Sequence, residues 1–225
     1  MKSSISKMLA LIVLAFVVIF ISSSRKAKAA DKNLSVTEFK DVKHINKLVL
    51  MGNVDVYLTH GVEENLKVYD NYYTKNALVQ WENGELRITS FDKERLTVTI
   101  TVSNLSAIEA SGNVNVRSMN ELSTIDLDIR LKNNATAKID AQAVNISSSL
   151  QDQSKLVLSG ESENQHLALN GAAEYEATRF TSPNRSLTIS EGAVASINQG
   201  GQSTSIKTFS SVPKKENTLN FNLDF

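Results

Sequence analysis

One pattern recurs along the second half of this chain at a nearly constant interval. An apolar residue is followed by a polar, turn-prone pair, and then by small apolar residues alternating with polar ones. It reads ASGNVNVRS from Ala110, LKNNATAKI from Leu131, LQDQSKLVL from Leu150, LNGAAEYEA from Leu169 and ISEGAVASI from Ile189. The spacings between these anchors are 21, 19, 19 and 20 residues. Self-similarity at a fixed period near 20 restricts the fold more than any other feature here. A unit that short cannot bury an apolar face alone, so successive units must stack on one another.

Aligning the units column by column tests this. Two residues before the anchors stand Ile108, Ile129, Ser148, Leu167 and Leu187, and four after them Val114, Ala135, Ser154, Ala173 and Ala193. Six after come Val116, Ala137, Leu156, Tyr175 and Ala195. These columns are apolar or small, as an inward strand face requires. The column one before the anchor (Glu109, Arg130, Ser149, Ala168, Thr188) is mostly polar and is read as outward. The turn pairs Gly112-Asn113, Asn133-Asn134, Asp152-Gln153, Gly171-Ala172 and Glu191-Gly192 are rich in residues that tolerate a left-handed backbone. The columns predict parallel coils of two or more short strands, stacked about 4.8 Å apart around a narrow interior.

The same template fits an earlier stretch, LMGNVDVYL at residues 50–58, with a Gly52-Asn53 corner. Between the two copies lie further alternating runs: LKVYD, ELRITSF and LTVTITV. Asn83-Gly84 between alternating runs is the strongest short hairpin signal. No segment after residue 30 sustains a helical period with caps. The expected fold is therefore all-β: a right-handed parallel β-helix-like solenoid with coils of about 20 residues and a hairpin-containing N-terminal part. The expected division is 30–103 for the N-terminal β-rich part with its hairpin insertion, 104–210 for the repeats, and 211–225 for a strand capping the end of the core.

Residues 1–29 read as a signal peptide. Lys2 and Lys7 precede the apolar run Met8 to Ile21, and Ala27-Lys28-Ala29 supplies a small-x-small cleavage site. Retention of the segment as an anchor is the alternative, raised by Arg25, Lys26 and Lys28. Five of the 24 basic residues and none of the 24 acidic ones precede Ala30, so the remainder carries 19 against 24, a net charge of −5. A mildly acidic chain without basic patches is a poor binder of nucleic acid. There is no cysteine, hence no disulfide framework and no cysteine-linked lipid. An exported location follows: periplasm, outer-membrane surface or the extracellular space.

The order of elements carries a family likeness. A strand GNVDVYLTHG is followed by LKVYD, the Asn-Gly hairpin, LTVTITVSNLSAIEASGNVNV and then the repeats. Over roughly residues 37–210 the chain resembles the bacterial head GIN domain family, named as auto-transporter adhesins and found in secreted and envelope proteins. Members usually repeat Ser-Gly-Ser-Gly-Asp, whereas here only Ser111-Gly112 keeps the Ser-Gly. The resemblance implies a right-handed β-helix-like fold in the envelope and brings no catalytic residues with it.

A search for chemistry yields little. His44, His60 and His166 have no ligand spacing, and a zinc site needs three or four convergent ligands. Ser90-Phe91-Asp92-Lys93 and Ser211-Val212-Pro213-Lys214 match Ser-x-x-Lys without the partner motifs that make it catalytic. No metal, cofactor or catalytic group is expected. The candidate contact residues are Asp126 and Asp128, two apart on one strand face with Arg130 beside them, and Tyr69, Tyr72 and Tyr73 in a loop. The blander readings are a solvated face for the aspartates and packing against the first coil for the aromatics. The expected function is non-enzymatic surface interaction, adhesin-like, with an unidentified surface protein or glycan as partner. The alternative is a polysaccharide-binding or carbohydrate-active β-helix resting on Asp126, Asp128 and Tyr72. Self-association through coil ends or edges is a further possibility.

Overall fold

The computed structural model describes residues 36–69, 77–199, 202–207 and 217–222. The expected signal peptide, Tyr72 and Tyr73 lie outside the described residues. The described part is all-β, with fifteen strands in one open sheet and no helix. In chain order the strands are β1 (Val36–Phe39), β2 (Lys47–His60), β3 (Asn65–Tyr69), β4 (Ala77–Glu82), β5 (Glu85–Ser90), β6 (Leu96–Val102) and β7 (Ala107–Ser118). They continue as β8 (Leu122–Lys132), β9 (Thr136–Leu150), β10 (Lys155–Leu169), β11 (Glu174–Thr181), β12 (Asn184–Ile189), β13 (Val194–Gln199), β14 (Gln202–Lys207) and β15 (Asn217–Asn222).

The repeats pair with one another in parallel, each with the next. Ala107–Ser111 lies against Asp128–Lys132, Lys155–Leu169 against Thr136–Leu150, and Glu174–Ala177 against Val194–Ile197. Every anchor therefore sits beside the next anchor. Each of the inward columns is buried, and the aligned residues meet in the core. The turn pairs also do what their composition demands: Gly112, Asn133, Asp152, Gly171 and Gly192 all have positive φ. At Gly52 (φ 89°) the requirement is strictest, because a Cβ there would lie 1.9 Å from the Ser90 carbonyl oxygen. Gly52 also divides β2 between two partners: Lys47–Gly52 pairs with β5 and Val54–His60 with β6.

Two expectations change. The segment between the copies is not set apart from the stack. β5 and β6 run parallel to β2 on the edge opposite β7, so residues 85–102 supply the layer that precedes residues 47–60 in space. The sheet is also mixed rather than parallel throughout. β1, β3 and β4 are antiparallel to their neighbours at one end, as are β14 and β15 at the other. An antiparallel strand can occupy an exposed ladder edge and be reached by a short turn, whereas a parallel one needs a long crossover. The β4–β5 connection shows this, with Asn83 (φ 51°) and Gly84 (φ 81°) forming the two-residue turn.

Candidate interaction face

The outward side of the sheet is covered by side chains that bond to one another from strand to strand. The first such ladder is charged. On β2, Lys47 Nζ lies 3.2 Å from Glu85 Oε2 and 3.1 Å from Glu109 Oε1. Glu109 Oε1 in turn meets Arg130 Nη1 at 3.4 Å, and Arg130 Nη2 meets Asp128 Oδ2 at 2.6 Å. Arg87 closes the other end on Glu85. The pairing registers of β5, β2, β7 and β8 bring these residues side by side. The hydrogen bonds of Glu109 and then Glu85 raise the pKa of Lys47. Desolvation works against the Glu85 carboxylate, but the hydrogen bond and charge of Lys47, with Arg87 behind, outweigh it and lower its pKa.

The second ladder is made of amides that end on one carboxylate. Asn145 Nδ2 donates to Asp126 Oδ1 (2.7 Å), Asn164 Nδ2 to Asn145 Oδ1 (2.9 Å) and Asn184 Nδ2 to Asn164 Oδ1 (3.1 Å). Two residues before three of these positions a hydroxyl donates to the ladder residue's own carbonyl: Thr124 to Asp126, Ser162 to Asn164 and Ser182 to Asn184. This is a local side-chain turn, present in three of the four layers and missing at Asn145, where Ala143 has no hydroxyl. Its signal, Ser/Thr-x-Asn/Asp at Thr124, Ser162 and Ser182, is interrupted by Ala143 before Asn145 and so does not show as a regular period in the sequence. A third ladder joins Arg95, Asp55, Asn115 and Thr136 at 2.7, 3.2 and 3.1 Å.

The candidate residues can now be placed. Asp126 and Asp128 do point outward together, but each belongs to a different ladder, Asp126 to the asparagines and Asp128 to Arg130. Tyr69 stands half-buried on β3 in register with Val36 and Thr97. That row continues to Asp55 and Asn115, beyond the Gly52 and Gly112 bends from the row of Asp128. The structure therefore does not gather Tyr69 with the aspartates. Among the described residues no three His, Asp or Glu side chains converge as a metal site would need.

The interior holds a polar group that pattern reading missed. The inward column Leu127, Ile146, Gln165, Arg185 changes from apolar to polar along the stack. Arg185 is 8% exposed and donates to the carbonyls of Phe180 (2.8 Å) and Asn198 (2.5 Å). Gln165 Nε2 donates to the hydroxyl of Tyr175. Gln165 Oε1, Arg185 Nε and Asn198 Oδ1 are buried without a hydrogen-bond partner. Burial pushes the Tyr175 phenol up and lowers the Arg185 pKa.

Solved structures share this fold, three of them as follows. A "putative adhesin" from Bacteroides fragilis superposes with a TM-score of 0.61 at 21% identity, covering 68% of this chain and 74% of its own. A "putative adhesin" from Parabacteroides distasonis gives 0.57 at 13%, covering 73% and 82%. A "putative lipid binding protein" from Parabacteroides distasonis gives 0.56 at 14%, covering 72% and 81%. No curated protein sequence matches the chain. The family model described as "Putative auto-transporter adhesin, head GIN domain" matches residues 44–210, and the chain belongs to that family.

Proposed function

We propose that this protein is a non-enzymatic, exported β-solenoid that makes contacts at the cell envelope, in the manner of an adhesin. One observation carries the reading. The outward side chains of successive repeats are locked to each other in continuous ladders, which produces a stiff, extended surface rather than a catalytic cleft. Such a surface suits recognition by area and pattern. Family membership points the same way. In this reading the parallel layers of about 20 residues form a β-helix, right-handed as parallel crossovers nearly always are. Residues 1–29 direct export and are removed, and the strand within 211–225 covers the end of the core.

The test is saturable binding of the purified protein to bacterial surfaces, host cells or matrix, with binding expected in at least one case. Reproducible hydrolase or lyase turnover on a glycan would overturn the non-enzymatic assignment. Polysaccharide binding is the second reading, and an exposed tryptophan on the hairpin is the observation that favours it. Of the residues that would carry it, Asp126 and Asp128 are engaged in ladders and Tyr72 lies outside the described residues.

A further inference from the structure

We propose that Arg117 and Lys138 together bind an oxyanion ester, sulfate or phosphate, on a polysaccharide whose sugar ring lies against Tyr57. The proposal rests on the surface-contact reading and names a ligand class for it. The two cations are 21 residues apart in the chain and meet only through the stack. Register sets Tyr57 of β2 beside Arg117 of β7, and Arg117 beside Lys138 of β9, in successive layers about 4.8 Å apart. Each alternates with buried neighbours: Val56 and Leu58 around Tyr57, Val116 before Arg117, Ala137 and Ile139 around Lys138. All three side chains therefore point outward. Arg117 and Lys138 are exposed, and Tyr57 is half-buried.

This row breaks the rule that the charged ladder keeps. There the signs alternate from strand to strand, Glu85, Lys47, Glu109 and Arg130, each ion-paired with the next. Here two positive charges stand in adjacent layers and repel. Among the described residues, neither side chain has a hydrogen-bond or ion-pair partner. The row itself offers none: Lys138 is followed by Val157, and Glu176 comes only one layer further. The carboxylates two residues away on the same face are already held, Asp55 by Arg95 and Asn115, and Asp140 by the Ser159 hydroxyl. A local rule broken without gain to the fold marks a place used for something else. One tetrahedral oxyanion supplies the missing negative charge to both cations. The guanidinium donates two parallel hydrogen bonds to it, and the ammonium donates a third. The phenol ring in the layer before Arg117 then offers an apolar face to the C–H side of the sugar that carries the ester. A neutral glycan would leave the repulsion in place, and a bare ion would leave Tyr57 unused.

Binding is measured by calorimetry with dextran sulfate, dextran phosphate and unsubstituted dextran. Saturable binding is expected with at least one of the two esters and none with dextran. Arg117→Gln and Lys138→Gln should each weaken it about tenfold, as loss of one charge-assisted contact implies. Lys132→Gln, at an exposed cation across the Gly112 bend, should leave it unchanged. Without ligand, the first two variants should melt at or above the wild-type temperature, because neutralising either cation removes the repulsion. Failure of both esters to bind overturns the proposal. So does an equal loss in Lys132→Gln, which would reveal general attraction to polyanions. Lower melting temperatures for both site variants overturn it as well, since the pair would then serve the fold. Equal competition by inorganic sulfate or by phosphatidylglycerol vesicles overturns the glycan assignment. Binding to bacterial surfaces, host cells and matrix is measured in parallel: retained there while both esters fail, it removes this site and leaves the surface-contact reading standing.

Discussion

The two ends of the stack follow one backbone course with different interiors and different outer ladders. Around β2, β5 and β6 the core is filled by Leu48, Leu50, Val56, Leu58, Leu86, Ile88, Leu96 and Ile100, and the outer ladder is charged. From Leu131 onward Ala135, Ala137, Ser148, Ser154, Ala173, Ala193 and Ala195 stand at inward positions among Ile139, Ile146, Leu156, Leu167, Leu187 and Phe180, with Tyr175, Gln165 and Arg185 filling the space they leave, and the outer ladder there is made mostly of amides. The difference shows that repeat geometry fixes which positions face inward but not how the interior is filled. Both ends gain stability from apolar burial, and the second mixes smaller side chains with a buried tyrosine and a few polar groups held by hydrogen bonds.

The largest expected contrast is at the bends. Gly52→Ala places a Cβ 1.9 Å from the Ser90 carbonyl oxygen and strains a left-handed backbone, so the layers must separate. A loss of roughly 4 kcal/mol or failure to fold is expected. Gly171→Ala meets the Asp152 backbone at 3.2 Å, and its φ of 70° is closer to what other residues adopt. It should cost about 1–2 kcal/mol. Denaturant melts of the two variants decide the matter, and equal losses would break the asymmetry between the ends.

The next contrast concerns the cores. Ile88→Ala removes a fully buried side chain and should cost about 2–5 kcal/mol. Arg185→Met removes a cation that no carboxylate is seen to pair with among the described residues, together with two hydrogen bonds to carbonyls. Desolvation relieved and hydrogen bonds lost are of similar size, so a change within about 1 kcal/mol is expected. A large loss at Arg185 would show that the polar interior organises its end of the stack.

These contrasts mark what was legible in the sequence. Periodicity exposed the inward columns and the bends because burial and positive φ each leave a narrow choice of residue, as at Val114, Ala173 and Gly112. The hairpin at Asn83-Gly84 was legible for the same reason. Layer order was not legible: nothing local in LTVTITV says that it lies beside NVDVYLT on the edge away from NVNVRS. That is a matter of long-range pairing, to which each strand face is equally suited. Gln165 and Arg185 were missed since a polar residue in an apolar column reads as noise until its partners are seen. Asp126 and Asp128 were read as a pair because they are close in sequence, while their bonds run across the strands.

Acid and base should act at opposite ends. Glu64 anchors the start of the stack, accepting from Ser103 Oγ (2.7 Å), Ser103 N (3.1 Å), Ile45 N (3.3 Å) and His44 N. Burial opposes its ionised form, but these hydrogen bonds outweigh it and lower its pKa below the usual carboxylate value. A lowered folded pKa means stability that is present above the unfolded pKa and lost as pH falls through the folded one. Tyr175 is the reverse case: burial raises its pKa, so its contribution holds below about pH 10 and is lost above it, where the unfolded chain ionises. Melts across pH should show Glu64→Gln flattening the acid limb slightly, since solvent screens that carboxylate, and Tyr175→Phe flattening the alkaline limb more clearly. Identical limbs in wild type and variant would remove either residue from the account.

The smallest effects distinguish the two ladders. Lys47 bridges Glu85 and Glu109 near the surface, where an ion pair contributes about 0–1 kcal/mol and is screened by salt. Asn164 both donates to Asn145 and accepts from Asn184 through neutral hydrogen bonds, each contributing about 0.5–1.5 kcal/mol with little salt dependence. Lys47→Met should therefore lose its destabilisation as sodium chloride rises to about 1 M, where the Debye length is near 3 Å. Asn164→Ala should keep its loss at every salt concentration. A salt-sensitive Asn164→Ala, or a salt-insensitive Lys47→Met, would mean that the ladders differ in composition but not in the force that holds the layers together. In that case the backbone pairing common to both ends must supply it.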